Sequence, residues 1–141
     1  MADILLQMIS SESSLVQSVA EVVQSISGLQ FKSVPTYANA GRSLRDPIPA
    51  VIIAHLQEPA DAQRIASLIQ ETTTLAKRVV TLVIVDGNQP EQTLAMLRHG
   101  VAECLERPLN LRRLAYLLDV HTLRLRHGAG HAQPESRRAQ H

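Results

Sequence analysis

Two stretches decide the fold: Ala50–Leu56, AVIIAHL, and residues 79–85, VVTLVIV. Both are almost purely aliphatic, with apolar residues at consecutive positions. A strand with one wet face alternates, so an unbroken apolar run must be covered on both sides, as in a parallel sheet flanked by helices. The interval between the runs supplies such a cover. Glu58-Pro59 closes the first run, and across residues 60–76 Ile65, Leu68, Ile69 and Leu75 recur at helical spacing and are expected to face inward.

The same alternation extends in both directions. Upstream, residues 3–9 (DILLQMI) form an apolar strand that empties into Ser10-Ser11-Glu12-Ser13-Ser14, whose serines are expected to cap a helix. That helix carries Leu15, Val16, Val19, Val22, Val23 and Ile26 on one stripe and stops at Gly28. Residues 29–34 (LQFKSV) make a weaker strand ended by Pro35, and residues 38–45 a short helix ended by Asp46-Pro47-Ile48-Pro49. Downstream, Asp86-Gly87-Asn88 turns the chain into a helix over 91–99 that ends at Gly100. Cys104 and Leu105 mark a short fifth strand before Pro108, and a last helix spans about 110–126. Five strands alternating with five helices predict a doubly wound α/β fold, a three-layer sandwich around a five-stranded parallel sheet. Right-handed crossovers collect the loops after the strands at one edge, where a site is expected, at residues 10–14, 55–59, 86–90 and 106–109.

Composition narrows the function classes. The 141 residues suit one domain, read as residues 1–126, with residues 127–141 as a disordered tail or linker. Aromatics are 2% of the chain, which removes base-stacking platforms for single-stranded nucleic acid. Three arginines against one glutamate give residues 126–141 a net +2, leaving 11 basic against 12 acidic residues before them. That body has no footprint for a polyanion, so direct nucleic-acid binding is not expected. Cys104 is the sole cysteine, which excludes an internal disulfide and a cysteine-based zinc cluster. No apolar run approaches membrane-spanning length and no secretory leader is evident, so the expected location is the cytoplasm.

At the four loops the chain resembles the receiver domains of bacterial response regulators over about residues 3–125. The segment Gly100-Val101-Ala102-Glu103-Cys104-Leu105-Glu106-Arg107-Pro108-Leu109 is similar to the family's Gly-Ala-x-x-(aromatic)-(apolar)-x-Lys-Pro-(apolar). Residues 49–59 resemble the family's Pro-Asp-(four apolar)-Asp-(apolar)-x-x-Pro. The resemblance implies a pocket in which two acidic residues hold magnesium, an Asp ending the third strand accepts a phosphoryl group, and a Ser/Thr and a Lys grip it.

Carried onto this chain, the acidic pair falls on Ser10 and Ser11 with Glu12 just beyond, and the acceptor on His55. The Ser/Thr falls on Asp86, the Lys on Arg107 and the aromatic switch position on Cys104. None keeps its family residue. Neutral hydroxyls offer magnesium no charge to offset its dehydration, and an imidazole cannot form an acyl phosphate. Asp86 would repel an incoming phosphoryl group, and Arg107 is expected to pair with Asp86 as a built-in latch. The expectation is a degenerate receiver, a pseudo-receiver without phosphoryl chemistry, and not an enzyme.

Sharper readings of single residues have blander rivals. His55 as a nitrogen phosphoryl acceptor lacks an obligate activating carboxylate, and a strand-end histidine is more often held by a local hydrogen bond. His55, Asp86 and Glu12 offer a transition metal only one imidazole and two carboxylates. Cys104 as a redox switch competes with Cys104 as a small core residue. His127, His131 and His141 are irregularly spaced in the tail. Neither a metal nor any other cofactor is expected. Leu111, Leu114, Leu118, His121 and Leu125 follow a three-four spacing that suits either a helix pair or a cover for the sheet.

The resemblance further implies a contact face on the fourth helix, fifth strand and fifth helix, here Arg98, His99, Glu103, Arg112, Arg113, Tyr116 and Asp119. Its mixed charges suit a protein partner or a self-complementary homodimer. The implied role is the N-terminal input module of a response regulator or transcriptional regulator, including the sigma-54-dependent type. The alternatives are a phosphoreceiver with atypical residues and a small-molecule-binding module of flavodoxin-like fold.

Overall fold

A computed structural model describes residues 3–40, 48–75 and 78–138, with side chains through His127. Five strands, β1 (Ile4–Ile9), β2 (Leu29–Val34), β3 (Ala50–Leu56), β4 (Val79–Asp86) and β5 (Glu103–Arg107), pair in the order β2-β1-β3-β4-β5, every pair parallel. The two deciding stretches are the centre of this sheet. All seven residues of β3 are buried, His55 included. The doubly wound parallel architecture is therefore as expected.

Helices α1 (Ser13–Val23) and α4 (Leu111–Arg138) cover one face, over Ile4, Leu6, Met8, Val51, Ile53, Leu82 and Ile84. Helices α2 (Asp61–Thr74) and α3 (Pro90–Arg98) cover the other, over Leu5, Ile9, Ile52, Ala54, Val83 and Val85. Alternate strand residues feed the two cores, which is why each central strand had to be apolar throughout.

Several local expectations are corrected. Among the described residues there are four α-helices. Of the helix expected over 38–45, Ala38 and Asn39 lie in a 3₁₀ turn at Tyr37–Asn39, Ala40 is helical, and 41–45 lie outside the described residues. No serine side chain caps α1. Glu12 holds the N-cap position with extended backbone, while the Ser10 hydroxyl accepts the Glu12 N–H at 3.1 Å. Helix α1 ends at Val23 and the chain turns through Ser25 and Ile26 to Gly28, which takes φ +87°. Leu75 is 47% exposed, because it follows the last residue of α2 and falls off the stripe of Ile65, Leu68 and Thr72. Of the three-four seam on the last helix, Leu114, Leu118, His121 and Leu125 are buried and Leu111 is exposed. That seam covers the sheet.

The last helix does not stop near Arg126; its backbone continues to Arg138 through the compositionally linker-like stretch. Propagation adds one bond per residue once a helix is nucleated, so a packed helix carries weaker formers with it. Its exit from the body is tied down. Arg126 donates from Nε and Nη2 to Asp3 Oδ2 and Oδ1 at 2.9 and 3.1 Å, and from Nη2 to the Ser27 carbonyl at 2.7 Å. Arg78 donates to the Leu125 carbonyl.

Candidate functional site

The register of the sheet assembles the site. Ile9 stands opposite Ala54, so Ser10 emerges level with His55; Asp86 and Arg107 are direct partners across β4 and β5. Glu12, at the N-cap of α1, leans over the same edge. Of the six pocket positions singled out in the sequence, Ser11 turns to Gln57, while Ser10, Glu12, His55, Asp86 and Arg107 thus arrive together.

They close into a ring. The Glu12 N–H donates to Ser10 Oγ at 3.1 Å, and Ser10 Oγ lies 2.9 Å from His55 Nδ1. His55 Nε2 lies 3.1 Å from Asp86 Oδ1, which also accepts from Arg107 Nη1 at 3.3 Å. Arg107 then returns to Glu12, with Nη1 2.9 Å from Oε1 and Nη2 against Oε2. A carboxylate only accepts, so Nε2 carries the hydrogen toward Asp86, and in the neutral ring the Ser10 hydroxyl donates to Nδ1. Every polar atom of the imidazole is matched, as a fully buried side chain requires.

The latch expected between Arg107 and Asp86 is therefore corrected in its emphasis. Arg107 grips Glu12 with both guanidinium nitrogens and touches Asp86 with one, because the fork fits a carboxylate two-on-two. This pairing holds the Glu12 carboxyl below its usual range and raises Arg107. Burial pushes Asp86 up, but the His55 contact and Arg107 outweigh it and leave Asp86 lowered.

Magnesium does not fit these residues. Ser10 is committed to His55 and Glu12, and Ser11 donates from its N–H and its hydroxyl to Gln57 Oε1, both at 3.2 Å. The Arg107 guanidinium lies between the carboxylates of Glu12 and Asp86, placing a fixed positive charge where a cation would be needed. Among the described residues no three His, Cys, Asp or Glu converge as a metal site. Ser10, His55 and Asp86 follow the order of a serine–histidine–carboxylate relay. Ser10 is 5% exposed and its oxygen already accepts a backbone N–H.

Three residues of this edge escaped the sequence reading. Tyr37 donates its hydroxyl to the His55 carbonyl at 2.6 Å; burial, then the Asp61 charge, pushes its pKa up strongly. Gln57 receives Ser11. Asp61, buried at the start of α2, accepts the N–H groups of Gln57 and Glu58 at 2.9 and 3.1 Å and pairs with Arg64 at 2.8 Å. An Asp just inside a helix start was a visible turn signal; Tyr37 and Gln57 carried none.

The remaining expected residues lie apart from the ring. Arg98 and His99 are exposed at the end of α3, and Arg112, Arg113, Tyr116 and Asp119 are exposed on α4. Glu103, on β5, accepts from Arg113 at 3.2 Å. Cys104 is half-buried beside Thr93, and burial, then Glu103, raises its thiol pKa. Exposed Leu94, Leu97 and Leu123, on α3 and α4, were not anticipated.

With the ring placed at the carboxyl ends of β1, β3, β4 and β5, the architecture can be compared with solved structures. The chemotaxis response regulator CheY4 of Vibrio cholerae is 18% identical, with a TM-score of 0.65 over 84% of this chain and 96% of that one. A CheY-like response regulator receiver domain from Methanospirillum hungatei is 12% identical, with a TM-score of 0.70 over 88% and 98%. The beryllofluoride-activated NtrC4 receiver domain dimer is 19% identical, with a TM-score of 0.67 over 83% and 93%. The fold is the receiver fold. No family sequence profile matches this chain, and no curated protein matches it in sequence. No helix among the described residues is long and apolar enough to cross a membrane.

Proposed function

We propose that this chain is a receiver-like regulatory module of bacterial two-component signalling that has given up aspartyl-phosphate chemistry and works through protein contact. The observation that carries the reading is the closed ring. Each position at which the receiver resemblance calls for a phosphate or magnesium ligand is instead spent on a neighbour within the chain. His55 bonds on both ring nitrogens, and Arg107 serves as internal counter-ion to Glu12 and Asp86. A phosphoryl group would have to displace Asp86 from His55 and meet its negative charge, which costs more as the surroundings become drier.

In this reading the module is cytoplasmic, non-enzymatic and without a cofactor. It is the input domain of a response regulator or transcriptional regulator, including the sigma-54-dependent type, with residues 127–141 leading toward an output. Its contact face is α3–β5–α4, used for a homodimer or a protein partner. That face carries exposed Leu94, Leu97, Tyr116 and Leu123 among the charged residues expected there. Large exposed apolar groups gathered on one face mark interaction sites.

The test is incubation with magnesium and beryllofluoride or acetyl phosphate, followed by amide NMR of the ring residues. The expected result is no saturable shift at Ser10, His55 or Asp86 and no mass increase; saturable binding there would establish the atypical phosphoreceiver instead. The small-molecule alternative has one observation on its side, a groove of about 480 Å³ beside the ring, lined by Ser11, Thr36, Tyr37, Gln57, Asp61 and Arg64. Ligand-induced shifts confined to Tyr37 and Gln57 would favour it.

A further inference from the structure

The contact face holds both a knob and a hole. A cavity of about 300 Å³ opens between α3 and α4 at the end of β5, lined by Thr93, Cys104, Leu105, Pro108, Leu109 and Arg113. Its floor is half-buried Cys104, whose small side chain leaves the space open; the Sγ lies 3.9 Å from the Thr93 carbonyl. One turn along α4 from Arg113 stands Tyr116, 65% exposed, the most exposed large apolar side chain among the described residues. A tyrosine offers a large rigid surface with a polar tip, the kind of group that anchors interfaces when it enters a pocket.

We propose that the occupant of the Cys104 cavity is Tyr116 of a second copy of this chain, each copy filling the cavity of the other. This rests on the reading of α3–β5–α4 as the contact face and names the anchor on it. Knob and hole lie one helical turn apart on the same face, so a single two-fold axis seats both at once. The charges around them are balanced: Arg98, Arg112 and Arg113 against Glu103, Glu106 and Asp119. A face with three charges of each sign complements itself, whereas a uniformly acidic or basic partner would leave half of them opposed. The apolar flank of Leu94, Leu97 and Leu123 would lose water on association.

The experiment uses the full chain. Tyr116→Cys places a second thiol where the tyrosine stood, and a bifunctional maleimide about as long as the lost side chain, followed by a denaturing gel that isolates the linked dimer and peptide mapping of that band, reads which sulfurs join across copies. The expected product is an intermolecular 116–104 link, absent when Cys104→Ser is added. Sedimentation should show a wild-type dimer whose dissociation constant rises tenfold or more in Tyr116→Ala and stays near wild type in Tyr116→Phe. Because Tyr116 is exposed, the fold survives these changes, which far-UV circular dichroism checks. A wild-type dimer that is indifferent to Tyr116→Ala, or that yields only 116–116 links, overturns the anchor and leaves the contact face standing. A chain that stays monomeric at millimolar concentration overturns both the anchor and the self-association from which it is built.

Discussion

The two ends of the sheet use charged side chains differently. At the carboxyl end, the ring of Ser10, His55, Asp86, Arg107 and Glu12 closes around a fully buried imidazole. At the amino end, Arg126 lies over the α1–β2 turn, held by Asp3 and the Ser27 carbonyl at the rim of the protein. The first end has no slack, since each polar atom of His55 has one partner and water cannot replace it. The second has no buried group at its centre: Arg126 and Asp3 are 27% and 52% exposed, much like Arg107 and Asp86 at 30% and 49%, and its specificity comes from backbone shape. A Cβ on Gly28 would stand 1.7 Å from Arg126 Nη2, so only glycine lets the guanidinium settle. Buried polar groups are costly to orphan, whereas exposed ion pairs contribute little unless geometry fixes them.

The largest expected effect follows from breaking the buried end. His55→Ala removes a fully enclosed side chain and leaves the Ser10 hydroxyl and Asp86 without their shared partner. We expect a loss of about 2–4 kcal/mol in urea unfolding, from the cavity and the unpaired groups together. A loss below about 1 kcal/mol would mean that water takes over the imidazole's role and that the two ends are alike.

Breaking the amino end should cost less. Gly28→Ala meets both a left-handed backbone, φ +87°, and the Arg126 guanidinium, so about 1–2 kcal/mol is expected from the strain alone. The sharper measurement is a double-mutant cycle. If the clamp is what Gly28 protects, Arg126→Ala should be markedly less costly in the Gly28→Ala background than in wild type.

A third region calibrates the comparison. Gln7 sits in the middle of β1, fully buried, and neither atom of its amide has a hydrogen-bond partner among the described residues. It shares the strand that feeds both ends but has none of their compensation. Gln7→Leu, close in volume, should raise stability by about 1 kcal/mol or more, measured as a shifted urea midpoint at unchanged m-value.

How much of this was legible depends on the range of the interaction. The sheet was readable because Ala50–Leu56 and its partner at 79–85 state their double burial residue by residue, and periodicity is a local signal. The ring's membership was readable through the family resemblance, which fixes positions along the chain. Its wiring was not. Arg107 and Asp86 are neighbours in register and could be paired on paper, but Glu12 lies 95 residues from Arg107, and only the packed angle of α1 brings its carboxylate into the fork. Gln57 and Tyr37 were missed for the same reason, since a side-chain amide or hydroxyl bonding across loops leaves no pattern. The seam on the last helix was legible as apolar but not as to what it faces, and the sheet claimed it.

The smallest effects are those of pH, and they separate the regions by sign. Asp3, Glu12 and Asp86 all titrate below their ordinary values, so their contribution is complete above about pH 4.5 and is lost as the pH falls further. His121 acts earlier and from the other class of group. It is buried on the inner face of α4; burial, then the charge of Arg124, lowers its pKa from 6.5, with Glu103 opposing. The folded state therefore resists a proton that the unfolded chain accepts, so stability declines as pH falls through 6.5, before any carboxylate responds. The thermal midpoint of the wild type should fall between pH 7.5 and 5.5, and His121→Gln should reduce that slope while leaving the decline below pH 4.5 intact. An unchanged slope would place the proton uptake elsewhere and remove His121 from the account; a lost decline below pH 4.5 would tie the helix to the carboxylates at both ends of the sheet.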